Sequence, residues 1–179
     1  MNTRILLIIS GGIAAYKSLE LIRELKRRDV GVSCVLTDAA KQFVTPMSVA
    51  ALSGEKVYDN LFSLTDETEM GHIELSRSAE LIVVAPATAN IVAKAAHGLC
   101  DDLASTTLLA TDKPVLMAPA MNVRMWEHAA TQANLATLKS RGIAFVGPDE
   151  GEMACGEFGP GRMAEPMRIA DAALALLTR

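Results

Sequence analysis

Aromatic side chains are scarce: one tryptophan, two tyrosines and four phenylalanines stand among 179 residues. Basic residues (17) are outnumbered by acidic ones (21), giving a formal charge of -4, and no basic stripe interleaved with aromatics is present. The chain therefore lacks both the field and the stacking surface that nucleic acid requires. Long hydrophobic runs are missing too. The first residues, MNTRILLIISGG, hold only a short apolar run before Ser10, too short for a signal-peptide core or a membrane span. No membrane association and a cytoplasmic location are the expectation. Cysteine is limited to Cys34, Cys100 and Cys155, an odd number, far apart, with no CxxC pair and no histidine at ligand spacing. That pattern argues against a zinc site and a disulfide framework.

What is present is apolar bulk. Half of the residues are hydrophobic, enough for one well-filled core over residues 1–179, and no repeat or low-complexity linker divides them. Short runs rich in β-branched residues recur: RILLII (4–9), VSCVL (32–36), LIVVA (81–85), PVLMAP (114–119) and IAFVG (143–147). Hydrophobic on both alternating faces, they read as buried parallel strands. Between them lie helical patterns. From Ala14 to Arg28, the positions Ala15, Leu19, Ile22 and Leu25 make one apolar stripe, and Asp29-Val30-Gly31 ends it. A closing helix starts at Pro166. Residues 54–71, with the polar cluster TDETE, read as a mobile surface loop. Strand and helix in alternation predict an α/β fold, a doubly wound Rossmann-like (flavodoxin-like) parallel sheet with helices on both faces.

In such a sheet ligands collect at the carboxyl ends of the strands. After the first strand comes Ser10-Gly11-Gly12-Ile13, a turn of small residues whose backbone N–H groups suit an anion. It is not GxGxxG, and close strand-to-helix packing explains it equally well when taken alone. The second strand is followed by Thr37-Asp38, in which Asp38 reads as a helix cap. The third is followed by Thr88-Ala89-Asn90, the fourth by Ala120-Met121-Asn122 and then Met125-Trp126, a grouping that in isolation suggests core packing. Late in the chain, ACGEFGPGRM (154–163) sets one cysteine among three glycines and a proline. Its thiol is either structural or chemical, since no partner cysteine is spaced for it.

SGGIAAYK, GHIELSRSAELIVVAPATAN, DDLASTT, PAMNVRMW and ACGEFGPGRMAEP, in this order, resemble the flavin-dependent cysteine decarboxylase family over roughly residues 4–167. The resemblance is strongest to its branch in coenzyme A biosynthesis. It implies an FMN-binding domain in which Gly11, Gly12, Ile13, Thr37, Thr88, Ala89, Asn90, Ser105 and Ala120 hold the cofactor. It implies a substrate side of Asn122, Met125, Ala154 and Cys155, with 4'-phosphopantothenoylcysteine as substrate and 4'-phosphopantetheine as product. It also implies trimers with active sites between subunits, four trimers forming a dodecamer in the bacterial bifunctional enzymes, and a fused phosphopantothenate-cysteine ligase domain in such relatives. One departure stands out: many relatives read PASANT, and here Ile91 replaces the final threonine.

The implied chemistry oxidises the substrate's CH2–SH unit to a thioaldehyde, which places the carboxylate β to C=S and gives its electrons a sink. Loss of CO2 leaves an ene-thiolate, and returning the two electrons with a proton yields the saturated thiol, so no second redox cofactor is consumed. On this resemblance His72 is the essential histidine that positions or deprotonates the thiol. Asn122 is a neutral donor for the departing carboxylate, and Cys155, on a glycine-rich flap, supplies the final proton. His97 and His128 read as surface or capping residues, Cys34 and Cys100 as structural. A peptidyl-cysteine decarboxylase stopping at the ene-thiol is the nearest rival. A non-catalytic regulatory relative, a flavin prenyltransferase and a flavodoxin-like electron carrier are more distant ones.

Overall fold

A computed structural model describes residues 3–61 and 71–178, the side chains of residues 71–73 excepted. The chain begins with β1 (Arg4–Ile9), a short 3-10 turn (Ile13–Ala15) and α1 (Tyr16–Arg27), followed by β2 (Gly31–Leu36), α2 (Pro46–Ser53) and β3 (Val57–Tyr58). Next come α3 (Gly71–Ser78), β4 (Leu81–Ala87), α4 (Ala89–His97), α5 (Leu103–Ala110) and β5 (Val115–Pro119). The remainder is α6 (Val123–Glu127), α7 (Ala129–Ser140), β6 (Ala144–Phe145), the hairpin β7 (Asp149–Glu152) and β8 (Phe158–Arg162), and α8 (Pro166–Leu177).

Six strands form one sheet in the order β3-β2-β1-β4-β5-β6, and every pairing in it is parallel. The two faces have separate cores. Ile5, Leu7 and Ile9 of β1 point toward α1, α2 and α8, where Leu21, Ile22, Leu25, Val49 and Ile169 are buried with them. Leu6 and Ile8 point the other way, among Ile91, Val92, Leu103, Leu135 and Leu138 of α4, α5 and α7. Because side chains alternate along a strand, a strand buried on both faces must be apolar throughout, which is why the RILLII and LIVVA patterns carry the fold.

Among the described residues every buried side-chain polar atom is paired. Ser18 on α1 donates to the Ala85 carbonyl at 2.7 Å, so the helix is tied to the centre of the sheet by a hydrogen bond that water cannot reach.

Three expectations are revised. Residues 54–71 contain β3, an edge strand whose Val57 and Tyr58 pair with Cys34 and Val35; two residues are too few to leave a periodic signal. The TDETE cluster of the same expected loop lies outside the described residues. The segment around Cys155, whose three glycines and proline suggest little regular structure, is the turn and second strand of a hairpin: β7 and β8 pair antiparallel. The cap after β2 is Thr37, whose Oγ1 accepts from the Ala40 N–H at 3.2 Å, while Asp38 points out and meets Lys41 at 2.8 Å. Among the described residues no helix is long and apolar enough to cross a membrane.

Candidate active site

The chain winds outward from β1 in one direction through β2 and β3, then returns to add β4, β5 and β6 on the other side. The reversal between β1 and β4 opens a crevice at their carboxyl ends, where neighbouring connections leave in opposite directions. A cleft of about 950 Å³ lies there.

Its first wall is backbone-rich. The turn after β1 passes so close to the end of β2 that a Cβ on Gly11 would sit 2.3 Å from the Ala39 Cβ and 2.6 Å from its carbonyl carbon. Only glycine fits. Ser10 Oγ donates to the Pro86 carbonyl at 2.6 Å and accepts from the Thr88 N–H at 3.2 Å, locking this turn to the end of β4. Thr88 is the N-cap of α4, and no side chain caps that helix. The first-turn N–H groups of α4 are thus left for a ligand, at the end where the helix dipole favours negative charge.

The second wall joins two separated sequence segments. Asn122 caps α6, its Oδ1 accepting from the Met125 N–H at 2.8 Å, which leaves its NH2 as the end available to a ligand. The β7–β8 hairpin lies directly against this loop: the Met121 N–H donates to the Gly161 carbonyl at 3.0 Å. Gly161 has φ +138°, and a Cβ there would fall 2.2 Å from the Met121 carbonyl oxygen. At the hairpin turn the Met153 N–H donates to the Glu157 carbonyl (2.9 Å) and the Gly156 N–H to the Met153 carbonyl (2.8 Å). Cys155 stands exposed on that turn, its thiol 3.7 Å from Glu157 Oε2.

A family model described as Flavoprotein matches residues 1–178. The chain belongs to the flavoprotein family. Two curated relatives are the coenzyme A biosynthesis bifunctional proteins CoaBC of Vibrio vulnificus, 53% identical over 166 residues, and of Escherichia coli, 51% identical over 172 residues. These alignments take in 93% and 96% of this chain but 41% and 42% of the relatives, so the chain spans about two fifths of their length. Among solved structures, a PPC decarboxylase carrying a cysteine-to-serine change and complexed with pantothenoylaminoethenethiol superposes with a TM-score of 0.91 at 32% identity, covering 100% of both chains. The FMN-dependent cysteine decarboxylase SpaF follows at 0.85 and 30%, covering 99% of this chain and 98% of its own.

In this flavoprotein the cleft is lined by Gly11, Gly12, Ile13, Thr37, Thr88, Ala89, Asn90 and Ala120 on the first wall and by Asn122, Met125, Ala154 and Cys155 on the second. Ser105 is placed elsewhere. Its N–H donates to Asp102 Oδ1 at 2.7 Å and its Oγ accepts from the Asp102 N–H at 3.2 Å, a capping box that starts α5; it borders a smaller cavity of about 160 Å³. The His72 side chain lies outside the described residues. Ile91 is buried among the core residues of α4, so a side-chain hydrogen bond from this position is lost while its N–H remains. Of the Met121, Met125 and Trp126 grouping read as core packing, Trp126 does pack against the core of α4, α5 and α7, whereas Met125 is exposed on the cleft. His97 meets Asn134 at 3.0 Å and His128 caps α7 through Nδ1.

Two charged groupings on the cleft escaped the sequence reading. Lys94 on α4 bridges Asp101 (2.7 Å) and Asp102 (2.9 Å). Desolvation pulls the pKa of Lys94 down, but the two carboxylates outweigh it and leave the ammonium raised. Asp102 is desolvated as well, yet the Lys94 and Ser105 hydrogen bonds hold it below the usual carboxylate range. The second grouping joins Lys17, Arg162 and Glu165. Asp101 and Asp102 belong to DDLASTT, Lys17 to SGGIAAYK, and Arg162 and Glu165 to GRMAEP, while Lys94 lies outside the motifs that carry the resemblance. Their spacing along the chain, 148 residues between Lys17 and Glu165, hid the pairing.

Proposed function

We propose that this chain is an FMN-dependent phosphopantothenoylcysteine decarboxylase domain, converting 4'-phosphopantothenoylcysteine to 4'-phosphopantetheine. The observation that carries the reading is the meeting of PAMNVRMW and ACGEFGPGRM at one cleft, through the Met121 N–H and the Gly161 carbonyl.

The first wall fits FMN. Its open backbone donors at Gly11, Gly12 and Ile13 and in the first turn of α4 suit a phosphate, and the flanking Thr37, Thr88, Asn90 and Ala120 offer polar atoms without bulk around a flat ring. Ser105 would act from behind this wall, through the start of α5. Bound there, FMN supplies reversible two-electron chemistry. The residues of the second wall do the rest. Asn122 presents an NH2 donor whose direction is set by its cap bond, and it holds the substrate carboxylate without the charge that would resist its departure. Met125 and Ala154 flank the substrate. Cys155 delivers a proton to the ene-thiolate carbon, and His72, in the first turn of α3, orients or deprotonates the substrate thiol.

The same reading makes residues 1–179 one FMN-binding domain of a cytoplasmic enzyme that works as a trimer or as a dodecamer of four trimers, with a ligase domain in the full-length protein. Incubating the FMN-loaded chain with 4'-phosphopantothenoylcysteine and weighing the product tests the activity. A mass lower by one CO2 is expected. A product lower by CO2 and two hydrogens would mean that the cycle stops at the ene-thiol, and unchanged substrate would sink the reading.

A further inference from the structure

Among the described residues, three cationic side chains line the cleft: Lys17, Lys94 and Arg162. They are not equivalent. Lys94 is claimed by two carboxylates, Asp101 and Asp102, so no positive charge is left over there. Lys17 and Arg162 share a single one: Lys17 Nζ lies 2.9 Å from Glu165 Oε1, and Arg162 Nη2 lies 2.7 Å from that same oxygen. Two cations held on one carboxylate oxygen leave one net positive charge at this corner of the cleft, with both heads fixed side by side.

We propose that Lys17 and Arg162, clamped by Glu165, form the subsite that takes the terminal phosphate of the substrate. The inference rests on the decarboxylase reading above. Lys17 enters from the first turn of α1; its side chain is only 13% exposed, so the stem is packed, and its ammonium is anchored on Glu165 at the exposed end. Arg162 ends β8, directly after Gly161, the residue whose carbonyl fixes the hairpin to Met121. The pair therefore lies on the flank continuous with Asn122 and Cys155. The other anion-binding feature, the open donors of α4 and of the Gly11–Ile13 turn, lies toward the cofactor. Guanidinium and ammonium play different parts: the planar fork of Arg162 can give two parallel hydrogen bonds to phosphate oxygens, and Lys17 adds a compact point charge. Glu165 remains ionised at neutral pH, since its hydrogen bond from Lys17 lowers its pKa more than burial raises it. The phosphate dianion meets a corner with one charge of the opposite sign already oriented, at little further ordering cost.

The test compares ligands that differ only in the phosphate. On FMN-loaded protein, calorimetry is run with 4'-phosphopantothenate and with pantothenate, neither of which carries the reacting cysteine. The preference of the unmodified protein for the phosphorylated ligand should fall by roughly tenfold or more in Arg162→Met and in Lys17→Met, the loss expected for a charge-assisted hydrogen bond, and Arg162→Lys should recover part of it. FMN affinity, read from flavin fluorescence, should stay within about twofold, far less than removing a charged phosphate contact would cost. Loss of FMN affinity instead would assign the pair to the cofactor phosphate and overturn the proposal. So would an equal loss for both ligands, or no preference in the unmodified protein. Because binding is read without turnover, failure of the decarboxylase reading would show separately, as unchanged substrate in the mass measurement.

Discussion

On the proposed reading Asn122 does two jobs with one amide, and they can be separated. Its Oδ1 accepts the Met125 N–H, and its NH2 faces the cleft. Asn122→Asp keeps an acceptor for the cap, so α6 and the melting temperature should be preserved, while a carboxylate now opposes the substrate carboxylate. A fall in kcat/KM of about a hundredfold or more is expected, the scale of losing a charge-assisted contact and gaining a repulsive one. Asn122→Ala loses the cap as well, at about 1 kcal/mol of stability. Steady-state kinetics beside thermal melts would distinguish these; an Asp variant that turns over normally refutes the donor role. At this scale most of the residues named from the motifs do line the cleft, because residue type travels with short motifs. Cys34, read as structural from its apolar strand, is buried, and desolvation, with a smaller push from Glu55, drives its thiol up to about 12. Lys17, Arg162 and Glu165 were not reached: each looks like an ordinary surface charge until the fold brings α1 and the hairpin together.

The hairpin is the element on which the second wall depends, and its glycines are of two kinds. Gly156 has φ +80° with nothing within 4 Å of an added Cβ, whereas Gly161 has φ +138° with the Met121 carbonyl oxygen at 2.2 Å. Gly156→Ala should cost about 1–2 kcal/mol, from the left-handed backbone alone. Gly161→Ala must in addition move backbone against backbone and should detach β8 from the Met121–Asn122 loop, with turnover falling by more than tenfold, since small misplacements at a reacting centre are costly. Hydrogen exchange at the Met121 amide would report the detachment; if that amide stays protected in Gly161→Ala, the docking argument is wrong. Neither β7 nor β8 was legible beforehand. β7 is the acidic DEGE and β8 lies in ACGEFGPGRM, neither with an apolar alternation and the second rich in turn residues, so both are set by their pairing and, for β8, by contact with α6, not by local propensity. The parallel strands were legible for the opposite reason, since burial on both faces demands continuous apolar runs.

At the scale of the whole molecule, α6 is the anomaly. It carries Met125 and Trp126, borders the cleft, and has no buried residue; Met125 is 46% exposed and Phe158 of the adjoining hairpin 75%. Exposed apolar groups beside a site are a common mark of an interface, which agrees with the proposed trimer and its active sites between subunits. Sedimentation and activity followed on dilution should fall together. Full activity in a dissociated monomer would remove the partner from the site. The continuous apolar runs and the glycine turns by themselves determined the doubly wound sheet and the end of it at which the cleft opens, because strand burial and backbone approach are local demands on residue type. Only the tertiary structure decided which charges share a carboxylate, which glycines are irreplaceable and that the two motifs of the second wall touch. Those are contacts between segments far apart in the chain, and their energies depend on distances of a few ångströms that no sequence spacing encodes.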